Sequence, residues 1–201
     1  QPPMSGQSAP VQETMLFWRY ITSSIDQLFA TMEGLSAAEI NWSPIGNANS
    51  LFVLATHTMG TTAENLLEVL CGLPVYRQRE AEFAAHGDSP EALQRQWQTL
   101  RAQIQAQLEQ VDDGTLGQSR EHPRRGQITG RDVLIVVARH CAEHMGQAFL
   151  TRDLPMLGGS ATLVDCADLD AVASAITRVL IDPLLRRPRR AQRSFATRRE
   201  Q

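Results

Sequence analysis

Leu93, Trp97, Leu100, Ile104, Leu108 and Val111 recur at intervals of three and four residues, which puts all six on one stripe of a single helix. Such a seam has to be buried against other apolar surface, and the rest of the chain offers that surface in the same helical form. Ser89-Pro90-Glu91 opens this helix with a proline in its first turn. Another helix is expected over residues 11–32, where Phe17, Ile21, Ser24, Leu28 and Met32 repeat and Glu33-Gly34 is the stop. Ser36 and Glu39 match a capping box that opens one short turn, and Asn41-Trp42-Ser43-Pro44 breaks it. A further helix starts at the N-cap Ser50 and runs to Leu70 before Gly72-Leu73-Pro74. The last begins at a Thr129–Asp132 cap and runs to about Asp153, before Leu154-Pro155.

Four helices of about 20 residues, joined by links of some 15 to 17, predict an all-α four-helix bundle whose connections are long enough to cross it. Neither alternating strand segments nor a glycine-rich phosphate loop is apparent, so a nucleotide-binding α/β fold is not expected. A chain of 201 residues, 42% hydrophobic and 20% charged, suits one substantial core. The expected organisation is a flexible leader over 1–10, the bundle over 11–155 and a C-terminal extension over 156–201. Within the extension a short helix is expected at about 167–182, followed by a basic flexible tail.

The longest apolar run, residues 133–138, is far below the roughly 20 residues of a membrane span, so no membrane association is expected. The N-terminal segment lacks the basic and apolar regions of a secretory signal. Cys71, Cys141 and Cys166 are odd in number and form no CxxC pair, which points to free thiols in a reducing cytoplasm. Residues 183–201 hold seven arginines and one glutamate, +6, leaving −9 on the first 182 residues. Such a tail attracts acidic surfaces without sequence preference. With Phe195 as its only aromatic residue, no specific nucleic-acid partner is expected.

The candidate site lies in three histidines. His140 and His144 are spaced i, i+4, so their imidazoles share one helix face a turn apart, which is bidentate metal-ligand spacing. Val133, Val136 and Val137 precede the pair, while Gln147 and Ala148 follow it, so the pair is expected on the core-facing side. His57 lies on another helix, with Val53 and Leu54 on one side and the small Gly60 and Thr61 on the other, leaving room beside the ring. A buried imidazole needs a partner, and a shared cation satisfies several at once. A lone histidine on an apolar stripe is more often a satisfied core residue, and an i, i+4 pair also arises on solvated faces; three on inward stripes shift the balance toward a metal. None of the three has a glutamate three residues before it, so a mononuclear centre with three nitrogen ligands fits better than a ferritin-like di-iron site.

The run S-L-x-x-L-x-T-H ending at His57, the loop N-W-S-P before it, and H-x-x-E-H-x-G-Q from His140 to Gln147 together resemble the DinB/YfiT-like superfamily, over roughly residues 11–155. That resemblance implies a four-helix bundle binding a divalent metal ion, zinc or nickel, through three histidines, which map onto His57, His140 and His144. Members include bacillithiol- and mycothiol-dependent S-transferases and a mycothiol-dependent maleylpyruvate isomerase. The implied function is a thiol-dependent S-transferase that activates a low-molecular-weight thiol for attack on a small-molecule substrate. A metal-dependent hydrolase or isomerase, or a noncatalytic metal- or ligand-binding bundle, remain open alternatives.

Around the histidines, Gln147 is the candidate catalytic residue, positioned to hydrogen-bond a water or substrate. Glu64 is a candidate for orienting a group in the cavity. Glu143 points away from the pair by about 100° and reads as solvated, Cys141 as a small buried thiol, and Arg77 and Arg79 as solvated loop charges rather than contacts to an anionic thiol. A homodimer is expected from what the resemblance implies and from Trp18 and Trp97, which one bundle is not expected to bury fully.

Overall fold

In the computed structural model, residues 12–156 are described, apart from Ile45 and Asn47. The expected leader and C-terminal extension, with its short helix and basic tail, lie outside the described residues. Four long helices dominate: α1 (Glu13–Ala30), α3 (Leu51–Ala63, continued by a π-helical stretch over Glu64–Leu70), α5 (Glu91–Leu108) and α7 (Gly130–Met156). Short helices occupy the links, α2 (Ala37–Ile40), α4 (Arg79–Phe83) and α6 (Asp113–Gly117). The start signals read from the sequence work as hydrogen bonds. Ser36 and Glu39 form a reciprocal capping box, Ser50 Oγ accepts the Val53 N–H at 3.2 Å, and Asp132 accepts from both Thr129 N and Thr129 Oγ1 at 2.9 and 2.7 Å. Stops at Gly34 and Gly72 follow from their φ of +74° and +72°, which an L side chain resists.

α1 packs on α7, α3 and α5, and α3 packs on α7 and α5. α5 and α7 therefore lie diagonally opposite, with α1 and α3 meeting between them. The core is filled by Ile21, Ile25 and Leu28 of α1, Leu54 and Leu66 of the α3 segment, Trp97, Ile104 and Leu108 of α5, and Val133 and Val137 of α7. The α5 seam is buried as its spacing predicts, with Leu100 only partly so. On α1 the stripe is rotated from the expected one: Trp18, Ile21, Ile25 and Met32 face inward, whereas Phe17 and Ser24 are half-buried.

Three further expectations need correction. Ser119–His122 and Gly126–Thr129 form an antiparallel hairpin, β1 and β2, paired from Ser119–Thr129 to His122–Gly126. Its four-residue strands are too short to show alternation in sequence. Trp18 and Trp97 are buried, 3% and 1% exposed, because they pack on each other across α1 and α5 with ring centroids 6.0 Å apart. The Trp97 Nε1–H also donates to Asp26 at 2.9 Å, so neither indole is left for a partner subunit. Finally, α7 continues through Leu154-Pro155 to Met156, at the cost of the one backbone hydrogen bond that Pro155, lacking an N–H, cannot donate.

Candidate metal centre

α3 and α7 pack side by side, and this contact brings His57 to His140 and His144. His140 Nε2 lies 3.3 Å from His57 Nε2 and 3.0 Å from His144 Nε2. One nitrogen from each ring lies within 4.8 Å of the others. Nitrogens around a tetrahedral zinc ion at about 2.0–2.1 Å are separated by roughly 3.3 Å, so the spacing suits a small divalent cation. The rings are inclined to one another, by 55° between His57 and His140, 82° between His57 and His144 and 87° between His140 and His144, so they are not stacked.

The two outer rings are held by their other nitrogens. A carboxylate only accepts, so His57 Nδ1–H donates to Glu82 Oε2 at 2.9 Å. His144 Nδ1–H donates to Gln147 Oε1 at 2.7 Å. Both contacts leave the Nε2 lone pairs free to converge. Among the described residues the buried His140 Nδ1 has no hydrogen-bond partner, and burial, reinforced by the neighbouring His144 and His57, depresses the His140 pKa to about 3. Burial also lowers the pKa of His57, against the opposing pull of Glu82. These two rings are therefore neutral at physiological pH, the state a metal ligand requires. Three imidazoles whose Nε2 atoms converge at 3.0 and 3.3 Å cannot all satisfy one another, whereas a shared cation would.

His57 is buried, but His140 and His144 are half-buried and Gln147 is exposed. The expectation that the α7 pair lies on the core face is thus corrected. Val133, Val137, Cys141 and Ala148 fill the core, while His140, His144 and Gln147 lie on the adjoining strip, rotated toward the bundle's edge. A site at that boundary can exchange ligands with solvent. Cys141 is the buried thiol the sequence suggests, 3.5 Å from Thr62 Oγ1. Glu143 pairs with Arg139 on the surface.

Glu82 on α4 gave no signal of its own in the sequence, because it comes from a link without periodicity. Its carboxylate binds Arg77 as well as His57, accepting from Arg77 Nε at 2.6 Å and Nη2 at 2.7 Å. Arg77 is correspondingly no solvated loop charge: its side chain is 6% exposed and also donates to Glu64 at 2.8 Å and Thr61 at 2.8 Å. Glu64 is buried between Arg77 and Arg124. Burial alone would raise its pKa, yet the two guanidinium groups prevail and hold it low, so it serves as an ionised anchor. Arg79 is half-exposed, with its guanidinium 4.8 Å above the Phe83 ring. The room beside Gly60 is likewise filled: a Cβ there would sit 2.0 Å from Glu82 Oε1.

Fold and site together define a class, a four-helix bundle in which two packed helices present three histidines able to hold a metal ion. The chain belongs to the DinB superfamily, whose model matches residues 20–148. It is similar to a conserved protein from Enterococcus faecalis, with a TM-score of 0.56 and 18% identity, over 72% of this chain and 98% of that one. It is also similar to a DinB-like protein from Bacillus cereus, with a TM-score of 0.56 and 15% identity, over 71% of this chain and 90% of that one. At such identities the likeness speaks for the fold alone. No curated protein matches the chain.

Proposed function

We propose that this protein is a metal-dependent S-transferase in which His57, His140 and His144 hold a zinc or nickel ion and a low-molecular-weight thiol attacks a small electrophilic substrate. The observation that carries the reading is the convergence of three Nε2 atoms, two of them with their Nδ1–H groups held by Glu82 and Gln147. A divalent cation held there would supply positive charge that favours the deprotonated, nucleophilic form of a thiol. The chain's own thiols are poor candidates for the attack. Burial pushes the Cys141 thiol up to about 12 and raises that of Cys71, so neither is a thiolate at neutral pH. The nucleophile is then a co-substrate. Glu82 and Gln147 keep His57 and His144 in their metal-competent tautomers, and the Gln147 amide nitrogen positions a water or the substrate.

Purified protein is expected to hold about one divalent ion per chain and to conjugate a thiol to members of an electrophile panel. Activity should survive Cys141→Ser and disappear in His57→Ala. Loss of activity in the cysteine variant with metal content unchanged would make a protein thiol the nucleophile and overturn the assignment.

The cytoplasmic setting is supported by free thiols at both described cysteines, Cys71 and Cys141. Among the described residues no helix is long and apolar enough to cross a membrane. With both tryptophans buried, the proposed homodimer is supported instead by apolar side chains exposed on α1 and α7, Leu16, Tyr20, Phe149 and Leu150. Sedimentation as a 22.3 kDa monomer at micromolar concentration would rule it out.

A further inference from the structure

A cavity of about 170 Å³ opens beside the histidine cluster, with His57 and His140 in its wall and Arg77, Arg79, Arg124 and Arg125 around them. Among the described residues no carboxylate lines it. Two of the arginines are engaged from behind, Arg77 by Glu82 and Glu64, and Arg124 by Glu64. The other two are not. Among the described residues the one carboxylate that Arg79 reaches is Glu80, at 3.4 Å, in a pair whose side chains are 51% and 91% exposed, a contact too solvated to neutralise it. Arg125 has no carboxylate within 4.0 Å among the described residues. The polar groups of the floor are satisfied internally, with His122 Nε2–H donating to Asn65 Oδ1 at 2.9 Å and Asn65 Nδ2 donating to Thr61 O at 2.8 Å. What the wall offers a ligand is therefore uncompensated guanidinium charge next to the histidines, and the planar fork of arginine matches a carboxylate.

We propose that this cavity is an anion subsite that takes the carboxylate of a small acidic substrate or co-substrate, with Arg79 and Arg125 as its recognition residues. The inference rests on the transferase reading only in placing that molecule's reacting end against His57 and His140; the anion contact itself needs no metal. It also restricts the partner chemically, because a neutral thiol or electrophile would leave two guanidinium groups without a counter-charge.

The test uses full-length protein stripped of metal and titrated calorimetrically with malonate, its neutral analogue malonamide, and inorganic phosphate. Malonate is expected to bind and malonamide not, and Arg79→Gln and Arg125→Gln are each expected to weaken malonate binding by about tenfold, the scale of one charge-assisted hydrogen bond. Arg19→Gln, on α1 away from the cavity, serves as the control for lost charge. Absence of malonate binding, or binding equal in wild type and both cavity variants, overturns the proposal; phosphate binding more tightly than malonate overturns the carboxylate assignment.

A second arm compares mercaptosuccinate with 2-mercaptoethanol, and carboxylated with neutral electrophiles, in the metal-loaded enzyme. This arm identifies which reactant carries the carboxylate: the preferred acidic partner should lose its advantage in Arg125→Gln. Malonate binding that depends on Arg125 without any conjugation leaves the subsite standing and removes the transferase reading. Conjugation without malonate binding or preference for an acidic partner does the reverse.

Discussion

Glu82 lies 25 residues from His57 in sequence and 2.9 Å from it in space, so the geometry of the proposed metal ligand depends on a side chain from a separate short helix. Glu82→Ala removes the acceptor that fixes the His57 tautomer and, among the described residues, leaves Arg77 with only Glu64 as a carboxylate partner. Loss of such an orienting carboxylate costs about 10–100-fold in metal affinity, measurable by competition with a chromophoric chelator; unchanged affinity would show that Glu82 does not position His57. Gly60 sharpens the same point. Within a helix alanine is ordinarily favoured over glycine by about 1 kcal/mol, but here a Cβ lands 2.0 Å from Glu82 Oε1, an atom pinned by Arg77. Gly60→Ala is expected to weaken metal binding, and a variant that melts higher with wild-type affinity would contradict the crowding. His57, His140 and His144 were legible in the sequence because helical spacing and apolar neighbours mark them. Glu82 was not, and the small residue that makes room for it read as space for a ligand. Arg77 read as solvated because nothing in a loop's sequence reports which carboxylates the fold folds over it.

Among the elements, the long helices were legible where a chemical start signal coincides with periodicity, and the links were not. α4 and the β1–β2 hairpin are held by tertiary partners: Glu82 by His57, and His122, 2% exposed, by Asn65 of the α3 segment. Such contacts between distant residues leave no local pattern. The start signals themselves carry a pH dependence. Glu39, Asp112 and Asp132 accept hydrogen bonds from Ser36, Thr115 and Thr129, and these contacts lower each carboxyl pKa below its ordinary value. With the folded pKa below the unfolded one, the folded state binds fewer protons, so this stabilisation is complete at neutral pH and is lost as pH falls below about 4. Asp132→Ala should therefore lower the thermal midpoint at pH 7 and matter much less at pH 3. An equal loss at both pH values would mean that the cap acts without its charge. At the α1–α5 contact, Trp18→Ala is expected to destabilise the protein by about 3–5 kcal/mol, read from denaturant melts, because Trp18 fills core against Trp97 rather than a dimer face.

At the scale of the whole molecule the proposed metal site and the core are adjacent but separable. Ile21, Ile25, Leu28, Leu54 and Ile104 are buried at 0–1% exposure without help from the histidines, which stand at the edge where α3 meets α7. The bundle should therefore fold without metal, unlike a small zinc module whose ligands replace its core. A cation bound by His57 on one helix and by His140 and His144 on the other would then clamp two elements that already pack together. Binding to the folded state alone adds about 2.7 kcal/mol at a free metal concentration 100 times Kd, which for a chain of 201 residues is a rise of roughly 5–10 °C in the thermal midpoint. A chelator should reverse the rise while leaving a cooperative transition, because the hydrophobic contacts persist. His140→Ala should abolish the metal-dependent rise and keep the cooperative transition of the metal-free protein, since among the described residues the removed ring holds no hydrogen bond through its buried Nδ1. Calorimetry decides the matter. Unfolding by chelator alone would mean that the core needs the ion, and a rise that persists in both His140→Ala and His144→Ala would move the metal away from this cluster altogether.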